Sequence, residues 1–130
     1  MKKLTASLWA LALMPLVALA ADKFPAISHD ALKQAIAEKK VTVIDVNGSD
    51  SYKAGHIPGA IDFAKVEEQL AAKLPADKGA LVVAYCADEQ CGAYAFAAEK
   101  AAALGYTNVK HYSAGIEGWK KSGEKTEPGT

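Results

Sequence analysis

The apolar positions of this chain alternate between short unbroken runs and helically spaced sets. Ala80–Tyr85 (ALVVAY) is a continuous apolar run with two adjacent valines, the pattern of a strand buried on both faces, and Val41–Asp45 (VTVID) reads as the first buried strand. Gly92–Leu104 is alanine-rich and reads as a helix, with Gly105 at the expected stop. Upstream, Ser28 is placed to cap a helix from His29 to about Glu38, whose apolar side is Leu32 and Ile36. Asn47–Phe63 holds three glycines and a proline and reads as a structured turn region, with Ile61 starting a short strand. Phe63, Val66, Leu70 and Leu74 recur at helical spacing, and Pro75 ends that helix. Asn108–Tyr112 reads as a further strand, Ser113–Gly115 as a loop, Ile116–Lys121 as a last helical turn or two. Ser122–Thr130 is polar and reads as a loose tail.

Strands alternating with helices predict an α/β fold: a central parallel sheet with helices on both faces. Ligands of such sheets bind beyond the carboxyl ends of the strands. The turn after Asp45, the loop Cys86–Cys91 and the loop Ser113–Gly115 all fall at such ends and are expected to converge on one rim.

The first twenty residues have a different pattern. Lys2 and Lys3 precede an apolar stretch, Leu8–Leu19, and Ala18-Leu19-Ala20 carries small residues where a signal peptidase reads. The apolar stretch falls short of the roughly 20 residues of a spanning helix. The expectation is a signal peptide at residues 1–20, a single domain at 21–130, and a periplasmic or secreted protein without stable membrane insertion after cleavage. Cleavage leaves 13 lysines against 15 acidic residues, a net charge of −2. There is no basic stripe, which argues against a nucleic-acid partner. There is also no arginine.

Both cysteines, Cys86 and Cys91, lie in the loop between the central strand and the alanine-rich helix. A loop running into a helix N-terminus offers unpaired N–H groups and the positive end of the helix dipole. That setting favours a thiolate. The amides of Ala87, Asp88, Glu89, Gln90 and Gly92 are candidates for a nest around a sulfur-borne negative charge. The pair is also close enough in sequence for a disulfide, which would close a six-residue ring worth about 2 kcal/mol.

Three strings resemble the signatures of rhodanese-like domains. Asp45-Val46 with Tyr52-Lys53-Ala54-Gly55-His56-Ile57-Pro58-Gly59-Ala60 resembles the first, and Leu81–Cys86 the active-site strand with its nucleophile. Gly105-Tyr106, Asn108-Val109, Gly115, Gly118-Trp119 and Gly123 resemble the closing signature. The likeness implies a sulfurtransferase in which Cys86 accepts sulfane sulfur as a persulfide, the loop amides cradle it, and a thiophilic acceptor removes it. It implies no cofactor. The partners are a sulfur donor and a thiol acceptor, the latter a small molecule or a protein.

Family loops often carry arginine five residues after the nucleophile and after the Asp-Val pair; here these positions hold Cys91 and Asn47. Without arginine no bidentate oxyanion clamp forms. Asp88 and Glu89 repel an anionic donor and raise the thiol pKa. Thiosulfate is therefore expected to be a poor donor. Phosphatase and arsenate-reductase chemistry, which needs that arginine, is argued against. Cys91 becomes a second, resolving thiol.

Alternatives remain: a thiol–disulfide redox protein using both cysteines, a structural staple, or a catalytically silent binding module. A two-thiolate metal site has the wrong spacing for zinc and no third cysteine. Among the other polar residues, His29 is expected on the surface, His111 against solvent or a helix, and His56 bonded to turn backbone. Asp45 is expected to accept from loop amides. Trp119 and Tyr112 are expected in the core.

Overall fold

The computed structural model describes residues 23–130. The expected signal peptide lies outside them, as do Ala21 and Asp22, the first residues of the expected mature chain. The chain runs α1 (His29–Ala37), β1 (Val41–Asp45), α2 (Ser49–Ala54), β2 (Ile61–Asp62), α3 (Phe63–Val66) and a 3₁₀ turn (Glu67–Gln69). It continues with α4 (Leu70–Lys73), β3 (Leu81–Tyr85), α5 (Tyr94–Ala103), β4 (Val109–His111) and α6 (Gly115–Lys121).

The four strands form one parallel sheet in the order β2-β1-β3-β4. β1 and β3 pair along their whole length, from Val41 opposite Leu81 to Asp45 opposite Tyr85. Alternate side chains of these strands enter two cores, one on each face. Ile44, Val82 and Ala84 pack with Phe63, Leu70, Leu74 and the α5 alanines Ala97, Ala98 and Ala101. Val43, Val83 and Tyr85 pack with Leu32, Tyr52, Ile57, Tyr112, Ile116 and Trp119 on the other face. This explains the unbroken apolar run of β3: from Val82 to Tyr85 its side chains are buried on both faces of the sheet. Small alanines on α5 let that helix lie close over β3.

Ser28 caps α1 as expected, its Oγ accepting from Ala31 N at 3.2 Å. Tyr112 and Trp119 are buried.

Several expectations need correction. The region Asn47–Phe63 is not all turn, because Ser49–Ala54 forms α2, started after Gly48 at φ 86°. Its six residues bury only Tyr52, so no apolar periodicity marks it. The single helix expected over Phe63–Leu74 is broken in three, as Val66 (φ −114°) and Gln69 (φ −116°) leave helical geometry. The Ser122–Thr130 tail is docked rather than loose. His56 and Glu127 exchange two backbone hydrogen bonds at 2.9 Å, and Trp119 Nε1 donates to Lys125 O at 2.9 Å. His29 is half-buried, with Nδ1 2.8 Å from Tyr112 Oη and Nε2 3.3 Å from Glu124 Oε1. Among the described residues, no helix is long and apolar enough to cross a membrane.

Candidate functional site

The loop after β3 holds both thiols, and the structure joins them. Cys86 and Cys91 form a disulfide with their Cα atoms 6.2 Å apart, within the span such bonds accept. The loop folds back through Asp88. Its carbonyl accepts from Cys91 N at 3.2 Å, and its carboxylate accepts from Gln90 N at 3.0 Å. This Asx-type turn is local side-chain chemistry that aspartate performs well. The Gln90 amide is therefore committed to Asp88. Cys86 is buried at 3% exposure, whereas Cys91 is half-buried.

The far side of the loop is held by α6. Ile116 N donates to Cys86 O and Glu117 N to Ala87 O, both at 3.0 Å. Two first-turn amides of α6 thus find acceptors in the loop. Gly115 makes this approach feasible. It has φ +63°, and a Cβ there would fall 2.5 Å from Cys86 O and 2.6 Å from the Ala87 carbonyl. Only glycine combines that backbone conformation with that proximity.

Beneath the rim, Asp45 and Tyr85 end the paired strands β1 and β3. Asp45 Oδ1 accepts from Asn47 N at 2.8 Å, as the sequence led one to expect. Its other oxygen accepts from the Tyr85 hydroxyl, which in turn accepts from Ile57 N at 3.0 Å. Burial pushes the Asp45 carboxyl above the usual carboxylate range, and the hydrogen bonds from Tyr85 and Asn47 oppose that shift only partly. Burial, and then the Asp45 charge, push the Tyr85 phenol strongly up. These groups anchor the turn regions and are not exposed to a substrate. His56 is likewise structural: its Nδ1 meets Tyr52 O at 2.9 Å, and its ring stacks on Tyr52 at 3.7 Å.

Two concavities flank the disulfide loop. A cleft of about 380 Å³ between the loop and α6 is lined by Asp88, Glu89, Glu117 and Lys121, among others. A smaller one of about 170 Å³ is lined by Cys91, Tyr94, His111 and Ser113 along with Glu89 and Gln90. His111 is buried, and its ring stacks on Tyr94 with centroids 4.3 Å apart. The sequence suggested that His111 faces solvent or a helix; its contact is with α5, beside the loop. Neither His111 nor Tyr94 carried a sequence signal for the site. Among the described residues no three of His, Cys, Asp and Glu gather as a metal-holding group.

The fold and the site define an α/β domain with a disulfide-bearing loop at the carboxyl end of an inner strand of its parallel sheet. The rhodanese-like domain family model matches residues 28–122, and the chain belongs to that family. A curated relative, the HTH-type transcriptional regulator Rv0324 of Mycobacterium tuberculosis, is 35% identical over 95 residues. The match takes in 69% of this chain but only 39% of the regulator's length. Among solved structures, the BH2092 protein of Bacillus halodurans is 30% identical with a TM-score of 0.69, covering 80% of this chain and 77% of that one. A human single-domain sulfurtransferase, TSTD1, shares the fold at 22% identity and a TM-score of 0.59, covering 75% of this chain and 96% of that one.

Proposed function

We propose that this chain is an exported sulfurtransferase that carries sulfane sulfur as a persulfide on Cys86 and resolves it with Cys91. The observation that carries this reading is the disulfide itself: the second thiol stands within bonding reach of the first. A persulfide on Cys86 would therefore form where an internal thiol can attack it. Cys86 directly follows β3, an inner strand, and the Ile116 amide of α6 holds its carbonyl, so the sulfur has a fixed place. The amides of Ala87, Asp88, Glu89 and Gly92 supply the polar surroundings for a terminal persulfide sulfur. Attack by Cys91 on Cys86 Sγ releases hydrogen sulfide and leaves the disulfide; an external dithiol then resets the pair.

The donor is a persulfide or polysulfide. The cleft beside the loop carries Asp88, Glu89 and Glu117 against Lys121 alone, an environment that opposes a small dianion. Export follows from the Lys2–Ala20 pattern, and a mature N-terminus at Ala21, found by N-terminal sequencing of the protein from outside the cytoplasm, would test it.

The test is intact mass after polysulfide loading of the reduced protein. One added sulfur that disappears as the mass returns to the disulfide form supports the cycle. A protein that only interconverts dithiol and disulfide is a redox protein instead.

A further inference from the structure

We propose that His111 is the proton acceptor for the Cys91 thiol. This rests on the resolving role given to Cys91. The motivating observation is that the His111 ring and Cys91 line the same small cavity of about 170 Å³. A space of that size holds a few waters, which can relay a proton between a sulfur and an imidazole nitrogen on its walls.

The ring is fixed there with a defined tautomer. His111 Nδ1 lies 2.9 Å from Phe24 O. A carbonyl only accepts, so Nδ1 carries the hydrogen and Nε2 the lone pair. Stacking on Tyr94, with ring planes 8° apart, prevents the ring from turning. Backbone bonds hold the residue on both sides, His111 N donating to Pro25 O and Ile27 N to His111 O. A histidine so immobilised, at 4% exposure, is more than an apolar strand position needs.

The titratable groups around the ring come from the thiol loop and α5. The loop brings Cys91 and Glu89, and α5 brings Tyr94. The segment before α1 meets the residue through the carbonyls of Phe24 and Pro25 and the amide of Ile27, none of which titrates. β3 presents uncharged Ala84 opposite His111. Glu89 opposes ionisation of the Cys91 thiol, so a base on the cavity wall has a task to do.

The step balances. The Cys91 thiol proton passes to His111 Nε2 as its sulfur attacks Cys86 Sγ. The persulfide S–S bond breaks, and its electron pair leaves on the terminal sulfur. That sulfide takes the proton from His111 and departs as hydrogen sulfide. Sulfane sulfur is reduced, and the two thiols are oxidised to the disulfide.

The test uses the reduced full-length Cys86→Ser protein, in which Cys91 is the sole thiol. It reads alkylation by iodoacetamide and needs no sulfur donor, so it is independent of whether persulfide transfer occurs. Adding His111→Asn, whose amide nitrogen stands where Nδ1 did, keeps an N–H for Phe24 O but removes the basic nitrogen. Alkylation at about pH 7 should fall about tenfold, and at about pH 10, where the thiolate forms unaided, the rates should converge. Equal rates at both pH values overturn the proposal. A loss of the same size at both pH values also overturns it, because that reports access or packing. If the asparagine variant does not fold, His111→Gln is subjected to the same comparison.

Discussion

Gly115 lies against the backbone of Cys86, so close that a Cβ on it would sit 2.5 Å from the cysteine carbonyl oxygen. The residue that starts α6 thereby sets the position of the thiol loop. Gly115→Ala must either push the loop outward or abandon φ +63°. Overpacking and left-handed strain each cost about 1–3 kcal/mol. The expected outcome is a loss of about 3 kcal/mol in urea unfolding, together with faster reduction of the Cys86–Cys91 disulfide by dithiothreitol as the loop loosens. An unchanged midpoint and reduction rate would show that the contact is tolerated.

The two cysteines should separate cleanly. Cys86→Ser abolishes sulfur loading, since a hydroxyl forms no persulfide. Cys91→Ser loads but releases sulfur slowly, since no internal thiol attacks. Either substitution, by opening the small ring, lowers stability by about 2 kcal/mol or less. Mass spectrometry of each variant after polysulfide treatment, with a thiol acceptor added over time, decides the assignment. Loading of Cys86→Ser equal to that of the unmodified protein would remove Cys86 as the carrier.

Donor preference follows from charge. Thiosulfate:cyanide sulfurtransfer should be weak compared with transfer from polysulfide, because Asp88, Glu89 and Glu117 face the cleft and the chain has no arginine. Cys91→Arg puts a guanidinium at the end of the loop and should raise thiosulfate turnover while abolishing internal resolution. Efficient thiosulfate turnover by the unmodified protein would contradict the electrostatic argument.

The Asp45–Tyr85 pair makes a signed pH prediction. The folded-state pKa of Asp45 is raised, burial being the largest cause. The native state then holds this proton more tightly than the unfolded chain, so stability falls as pH rises from about 4 through the folded-state value. Tyr85→Phe removes a donor to Asp45 and an acceptor for Ile57 N. It should cost about 2–4 kcal/mol near neutrality and extend the declining window to higher pH. Urea midpoints measured across pH for both proteins check this; a parallel offset with no change in slope would assign the loss to packing.

Much of this was written in the local sequence. An unbroken apolar run identified β3 and a valine-rich stretch β1, because side chains from both faces of those strands enter a core, and the alternation with helices identified the parallel sheet. The thiol loop was legible because both cysteines fall between a strand and a helix, and the Gly-His-Ile-Pro-Gly-Ala string marked the family. Asp45 and His56 made the backbone contacts expected of them. Elements without an apolar period were not legible: α2 buries one side chain, and the docked tail is held by backbone pairing to His56 that polar residues do not announce. The half-burial of His29 comes with contacts to Tyr112, Trp119 and Glu124, all far away in sequence.

Sequence spacing allowed Cys86 and Cys91 to bond but could not choose whether the loop turned back. Asp88, accepting from Gln90 and Cys91, and Gly115, admitting α6 against the loop, made that choice. Nor could spacing place His111 beside Cys91, since the two are twenty residues apart and meet only because β4 pairs with β3. Periodicity records which side of an element is buried; which side chains share a cavity depends on strand order and close backbone approach, which arise when the sheet assembles.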